Sequence, residues 1–152
     1  MREKDDVQDW QLKAREGIRD TLAAYNWCGD NGDLEGFAGT LAPDGVLEIK
    51  GLGAFTGRAA VLDGARTGFG QPAEKLRMIR ENGRLAHHVS SVRIELASET
   101  EARSWSYFAV FGKNGPDHWG RYTDRLVLLD GRWLFAHRRV SIDAASPGSA
   151  MA

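Results

Sequence analysis

The sequence predicts an α+β fold, a cone-shaped curved antiparallel sheet wrapped around N-terminal helices and enclosing an apolar pocket. Three observations carry this. Helical periodicity is confined to the first part of the chain. The second part is a succession of long segments rich in β-branched and aromatic residues, broken by turn formers. An apolar fraction of 42% in 152 residues supports one compact domain with a real core. Helices followed by a strand meander place the helices on one face of the sheet, and a curved sheet closed in this way leaves a hollow suited to a ligand.

Residues Val7 to Trp27 read as the first helix, because Trp10, Ala14, Ile18, Leu22 and Tyr25 form one apolar stripe. The run CGDNGD stops it, and Asp33 serves as N-cap of a second short helix, LEGFAGTLA. Pro43-Asp44-Gly45 breaks that helix, VLEIK forms a strand, and GLGAFTG turns and pairs back. A third helix is expected over RAAVLDGARTGF, weakened by its glycines. Three long strand segments follow: RLAHHVSSVRIELAS, EARSWSYFAVFGK and DHWGRYTDRLVLL. Asp130-Gly131 is a hairpin turn, and RWLFAHRRVSID is the last strand. Residues 1–143 are thus one domain, and residues 144–152, small and polar, are expected to be a flexible tail.

Charge and cysteine content narrow the function classes. A net charge of -1 with scattered arginines gives no electrostatic case for nucleic acid or an anionic membrane. The single cysteine, Cys28, rules out an internal disulfide and a Cys-rich zinc site, fits a reducing compartment, and reads as a small buried hydrophobe. The start, MREKDDVQDW, is charged and lacks the apolar core of a signal peptide, and no apolar run is long enough to span a bilayer. The cytoplasm is the expected location. GLGAFTG lacks the GK[ST] ending of a phosphate loop, there is no G-x-S-x-G elbow, and the four histidines lack metal-ligand spacing. No cofactor and no metal are therefore expected.

The stretch RLAHHVSSVRIEL holds two adjacent histidines, which a strand must point to opposite faces. Unbroken alternation puts His88 with Val92, Ile94 and Leu96 on the core face, and His87 with Arg93 and Glu95 on the other. A bulge would shift the count by one. An inward imidazole needs a hydrogen-bond partner. A backbone carbonyl would make it structural, whereas a carboxylate would fix its tautomer for proton transfer. Asp30 and Asp124 are the candidate carboxylates, and spacing alone does not choose between them. His118 reads as a solvated strand-start residue, and His137, which shares parity with Trp133, Phe135 and Arg139, reads as packing.

The order of these segments resembles the SnoaL-like branch of the nuclear-transport-factor-2-like superfamily. The resemblance spans nearly the whole chain and rests on Asp30-x-x-Asp33-Leu34, His88-Val89, and Gly120-Arg-Tyr-x-Asp124 followed by Asp130-Gly-x-Trp133. It implies an α+β cone, often dimeric through its outer sheet face, an arrangement that outward aromatics also fit. The chain looks most like the scytalone dehydratases, hexachlorocyclohexane dehydrochlorinases and bile acid dehydratases of that superfamily, which use a metal-free Asp–His dyad. Matching positions imply Asp30 and His88 as the dyad, with Tyr25 as a hydrogen-bond donor to substrate. The ketosteroid isomerase base does not carry over, because its position falls near Ile49. The polar residues that hold a catalytic water in scytalone dehydratase fall near Gly120 and Tyr122, which departs from that enzyme's substrate.

The expected function is a cofactor-free lyase, or an isomerase, acting on a small hydrophobic and cyclic molecule. His88 is its general base, Asp30 orients His88, Tyr25 donates to the substrate, and Arg139 stabilises charge at the pocket mouth. The alternative is a non-catalytic ligand-binding or assembly module on the same cone.

Overall fold

The structure is a computed structural model and describes residues 6–152; the first five residues of the charged leader lie outside the described residues. Helix α1 (Asp9–Asp30) buries Ala14, Ile18, Leu22 and Tyr25, the stripe expected from spacing. Gln8 and Gln11 cap its start reciprocally. At its far end α1 continues past Trp27 and carries Asp30 in its last turn. Helix α2 (Leu34–Gly39) begins at Asp33, whose carboxylate accepts the Gly36 N–H at 2.9 Å. It is shorter than expected because strand β1 (Leu41–Ile49) starts at once: Phe135 N–H donates to Thr40 O and Leu41 pairs with Phe135. Gly45 is required within β1, since a Cβ there would lie 2.6 Å from the Phe135 carbonyl oxygen.

Strand β2 (Gly53–Thr56) hairpins onto β1, and helix α3 (Arg58–Thr67) stops at Gly68 in the left-handed conformation. Helix α4 (Ala73–Glu81) was not assigned from sequence. It buries no residue fully, and its apolar face is only Leu76 and Ile79 in a polar run, a signal too short to mark a helix by periodicity. Strands β3 (Ala86–Leu96), β4 (Glu101–Gly112), β5 (Gly115–Leu129) and β6 (Arg132–Ala145) complete one sheet in the order β2-β1-β6-β5-β4-β3. Asp130 (φ 49°) and Gly131 (φ 76°) make the expected tight turn between β5 and β6. The sheet is curved and unclosed. It is antiparallel except at one seam: β1 runs parallel to β6. The chain between them, from β2 to β5, supplies the crossover that a parallel pair needs. Ile18 of α1 and Leu41, Leu47, Leu126 and Phe135 of the sheet are fully buried between the layers.

Two interruptions of alternation decide which side chains enter the concave face. In β3, Ser90 pairs with Tyr107 but Arg93 pairs with Trp105, so Ser91 and Val92 together oppose Ser106. Ser91 takes φ 51°, a left-handed conformation, and forms a bulge. In β6, Phe135 pairs with Leu126 and His137 with Arg125, leaving Ala136 as the extra residue. Inward positions in β3 therefore change from odd before the bulge to even after it. In β6 they change from Phe135 to Arg138, Val140 and Ile142.

The tail is docked rather than free. Ser146 N–H donates to the Asp117 carbonyl (2.8 Å), the Ser149 hydroxyl donates to the Asp117 carboxylate (2.8 Å), and Ser149 and Ala150 are buried. Asp117 supplies the anchor that a reading of small polar residues alone misses. No described helix is long and apolar enough to cross a membrane.

Candidate functional site

A cavity of about 460 Å³ opens between the end of α1, helices α3 and α4, and the concave face of β4, β5 and β6. Its walls are mostly apolar, with Phe37, Phe69, Phe108, Val140 and Ile142 among them. Tyr25, Asp30, His87 and His118 supply polar groups. This volume and character suit a small hydrophobic molecule. A somewhat larger groove, about 580 Å³, lies along β3–β5 past Arg93, Trp105, Tyr107 and Arg121. It holds no histidine or buried carboxylate, so the first cavity is the candidate site.

The inward histidine is His87, not His88. His87 Nδ1–H donates to Asp30 Oδ1 at 2.6 Å, and the His87 backbone N–H donates to Asp30 Oδ2 at 2.8 Å. His88 is exposed on the other face, against the Phe111 ring at 5.0 Å. The cause is the Ser91 bulge, which breaks the alternation from which His88 was assigned. The sequence carried a signal for it. Leu85 and Val89 put apolar groups at odd positions, Val92, Ile94 and Leu96 put them at even ones, and the change falls across Ser90-Ser91.

Asp30 is placed where only a partner makes it comfortable. A carboxylate in a helix's last turn meets the negative end of the helix dipole, and no basic residue occupies that turn of α1. Burial raises its pKa, but the side-chain and backbone bonds from His87, the His87 charge and Arg84 outweigh burial and hold Asp30 below the usual carboxylate range. With Asp30 ionised, the proton on Nδ1 belongs to His87, and Nε2 is left as the basic nitrogen.

Tyr25 reaches the same cavity from α1, where the stripe places it. Burial pushes its hydroxyl up to about 12, moderated by Arg138, so it stays protonated and can donate. Its ring packs on Phe37, with centroids 4.5 Å apart.

Arg139 does not reach the cavity. It is half-exposed and pairs with Glu48 at 3.4 Å, and the same carboxylate accepts from His137 Nε2 at 3.0 Å. The Ala136 bulge turns Arg138 inward in its place. Arg138 is fully buried, donates to both Asp124 oxygens (2.8 and 2.9 Å), and lies under the rings of Tyr25, Tyr122 and Phe135 at 4.3, 3.9 and 4.1 Å. Burial opposes its charge, but Asp124 outweighs burial and keeps it cationic. Asp124, the rival carboxylate for the inward histidine, is thereby committed elsewhere, and it also accepts from Ser104 at 3.0 Å. The signal for Arg138 was again a change of parity, from Trp133 and Phe135 to Val140 and Ile142.

Sequence reasoning also missed His118. It is buried, lines the cavity, and donates from Nδ1 to its neighbour Asp117 at 2.6 Å. Cys28 stays a thiol, held up by burial and the Asp33 carboxylate. Among the described residues, no group of three or more His, Cys, Asp or Glu side chains is arranged to hold a metal ion.

Residues 10–139 match the family model described as a SnoaL-like domain. No curated protein matches the chain. Among solved structures, a Mycobacterium tuberculosis protein of unknown function, Rv3472, is 26% identical, with 88% of this chain and 78% of that one covered and a TM-score of 0.71. A scytalone-dehydratase-like protein from Novosphingobium aromaticivorans DSM 12444 is 25% identical over 92% and 91% of the two chains, with a TM-score of 0.75. A hexachlorocyclohexane dehydrochlorinase, LinA-type3 from Novosphingobium barchaimii LL02, shares the fold at 17% identity, with 91% and 92% covered and a TM-score of 0.75.

Proposed function

The chain belongs to the SnoaL-like domain family, and from that premise we propose that it is a cofactor-free lyase acting on a small hydrophobic, cyclic molecule. The observation that carries this reading is the 2.6 Å bond between Asp30 and His87 on the wall of an apolar cavity. The relatives named for dehydration and dehydrochlorination are consistent with it.

His87 Nε2 takes a proton from a carbon next to the one that bears the leaving group. The C–H electron pair forms the new double bond, and the leaving group departs with its own bonding pair. Asp30 fixes the imidazole through Nδ1 and stabilises the imidazolium that forms. Tyr25 donates a hydrogen bond to the departing oxygen or halide. Arg138, paired with Asp124 behind the Tyr25 ring, holds that ring in position. Water or halide then leaves with the proton released by His87, which balances the reaction. Return of the same proton to a different carbon would make the activity an isomerisation.

The test is a panel of hydroxylated and halogenated cyclohexanes and tetralins, monitored for alkene products. The expected result is turnover that His87→Gln and Asp30→Asn both abolish in folded protein. Near-full turnover in both variants would remove the dyad from the mechanism. Binding of panel compounds without any turnover would favour the non-catalytic ligand-binding module.

The same proposal includes a cytoplasmic location and a homodimer, or a higher homo-oligomer, formed through the outer sheet face. Tyr107 (57% exposed), Phe111 and Trp119 (both 39%) support the second, because they put aromatic surface on that face.

A further inference from the structure

We propose that His118 is a substrate-recognition residue whose Nε2 accepts a hydrogen bond from a hydroxyl group, so that the preferred ligand is a hydrophobic ring carrying a free hydroxyl. The inference rests on reading the cavity as a substrate site, and it deepens that reading by assigning a substrate feature.

The argument starts from Asp117. Its carboxylate accepts from Asn82 Nδ2 (2.8 Å, at the end of α4), from the Ser149 hydroxyl (2.8 Å, in the tail), and from His118 Nδ1 (2.6 Å). Three donors from three parts of the chain converge on this buried carboxylate, where one without partners would be costly. With the carboxylate accepting at 2.6 Å from Nδ1, the proton of the His118 ring sits on Nδ1. The ring's other nitrogen is then a bare acceptor.

The ring that carries this acceptor lines the cavity. It stands 6.3 Å from the His87 ring at 86°, and Nε2 has no protein partner among the described residues. Its surroundings keep the ring neutral. Burial lowers its pKa, the nearby His87 adds to the lowering, and Asp117 offsets only part of this. A neutral imidazole with Nδ1 occupied cannot donate from Nε2, so it selects a donor on the ligand. The apolar walls and Phe108, whose ring is 6.1 Å from His118, leave a hydroxyl on a hydrophobic ring as the fitting group. A buried acceptor left unpaired penalises a ligand that lacks the hydroxyl.

The two histidines then divide the work. His87 is open enough to exchange a proton, with 28% of its side chain exposed, whereas that of His118 is 6% exposed and locked at the back of the site.

The experiment compares 2-naphthol with 2-methoxynaphthalene by isothermal titration calorimetry, on the full chain and on His118→Asn. Asparagine keeps a donor near the Nδ1 position for Asp117 but has nothing at Nε2. The expected result is about a 10- to 100-fold preference for naphthol in the unmodified protein, lost in His118→Asn while methoxynaphthalene affinity is kept. His118→Gln, which places an amide near the Nε2 position, is expected to recover part of the preference. In ¹⁵N spectra, naphthol should shift the His118 Nε2 resonance. Equal affinity for the two probes overturns the proposal, as does a preference that survives in His118→Asn. Neither outcome touches the dyad, which is judged by the turnover of His87→Gln.

Discussion

Asp30–His87 and Asp117–His118 have the same Nδ1-to-oxygen distance, 2.6 Å, and reach it by opposite routes. The first pair joins residues 57 apart in the chain: a carboxylate at the end of α1 meets a histidine at the start of β3. The second joins neighbours on one strand, and the carboxylate is then tied to α4 and the tail. The first pair exists only when helix and sheet have docked, so it reports the tertiary fold. The second is local and is stabilised by what closes over it. On the proposed reading, the base that moves a proton sits in the pair with solvent access, and the acceptor that stays neutral sits in the pair without it.

Breaking each pair should separate these roles. His87→Gln is expected to lower turnover about 10²–10⁴-fold, while His118→Asn alters ligand preference and KM more than kcat. Steady-state kinetics with both variants checks this, and equal losses in kcat would erase the distinction. His88→Ala, on the exposed face, should stay within about twofold of the unmodified protein, as surface substitutions do.

The buried ion pair behind Tyr25 offers the next largest effect. Arg138→Met strands Asp124 in a buried site and should cost about 3–5 kcal/mol of stability. Replacing both, Arg138→Met with Asp124→Leu, should recover much of that, because well-packed apolar groups often replace buried ion pairs at little cost. Urea denaturation measures both. A double variant as unstable as the single would mean that packing under the Tyr25, Tyr122 and Phe135 rings, rather than the stranded charge, sets the cost.

Acid should distinguish the two pairs by pH window. The folded pKa of His118 is depressed, so above its unfolded value of about 6.5 its contribution is fully present. As pH falls, the unfolded chain binds the proton first and stability declines. The folded pKa of Asp30 is depressed as well, so its contribution holds above about 3.9 and is lost as pH falls through the folded value. Stability measured against pH should therefore decline in two stages. His118→Asn should flatten the stage nearer neutrality, and Asp30→Asn the acidic one. A single stage unaffected by His118→Asn would remove the burial argument for that ring.

The contrast between the pairs also explains what could be read in the sequence. The stripe of α1, the Asp33 cap and the Asp130-Gly131 turn are local, and each formed as its residues dictate. Asp30 stood beside Asp124 as a candidate carboxylate, and only the family resemblance singled it out. The identity of its partner was not legible, because it depends on the direction of a strand residue after a bulge. Ser91 has none of the glycine signature that usually marks a left-handed position, so a residue-by-residue reading passes through it. Only the change of apolar parity across the bulge carries the information, and the same holds at Ala136 for Arg138 over Arg139. Asp117 and the tail were illegible for another reason. Nothing in SPGSAMA announces that a buried carboxylate elsewhere will accept its serine.

The smallest expected effect tests that last contact. Ser149→Ala removes one of three donors to Asp117 and leaves Asn82 and His118 in place. The loss should be about 1 kcal/mol, the net value of one hydrogen bond, and not the larger penalty of an orphaned charge. The same hydroxyl accepts from Met151 N–H at 3.0 Å, so the substitution should also free the final turn. Because Met151 lines the cavity, that fraying should widen one wall of it. Faster amide exchange confined to the tail, with hydroxyl preference weakened but not abolished, would mark the tail as a support for the second pair. Exchange that spreads into β5 would instead make the tail a part of the sheet's own stability, and the two histidine pairs would differ less in kind than their positions suggest.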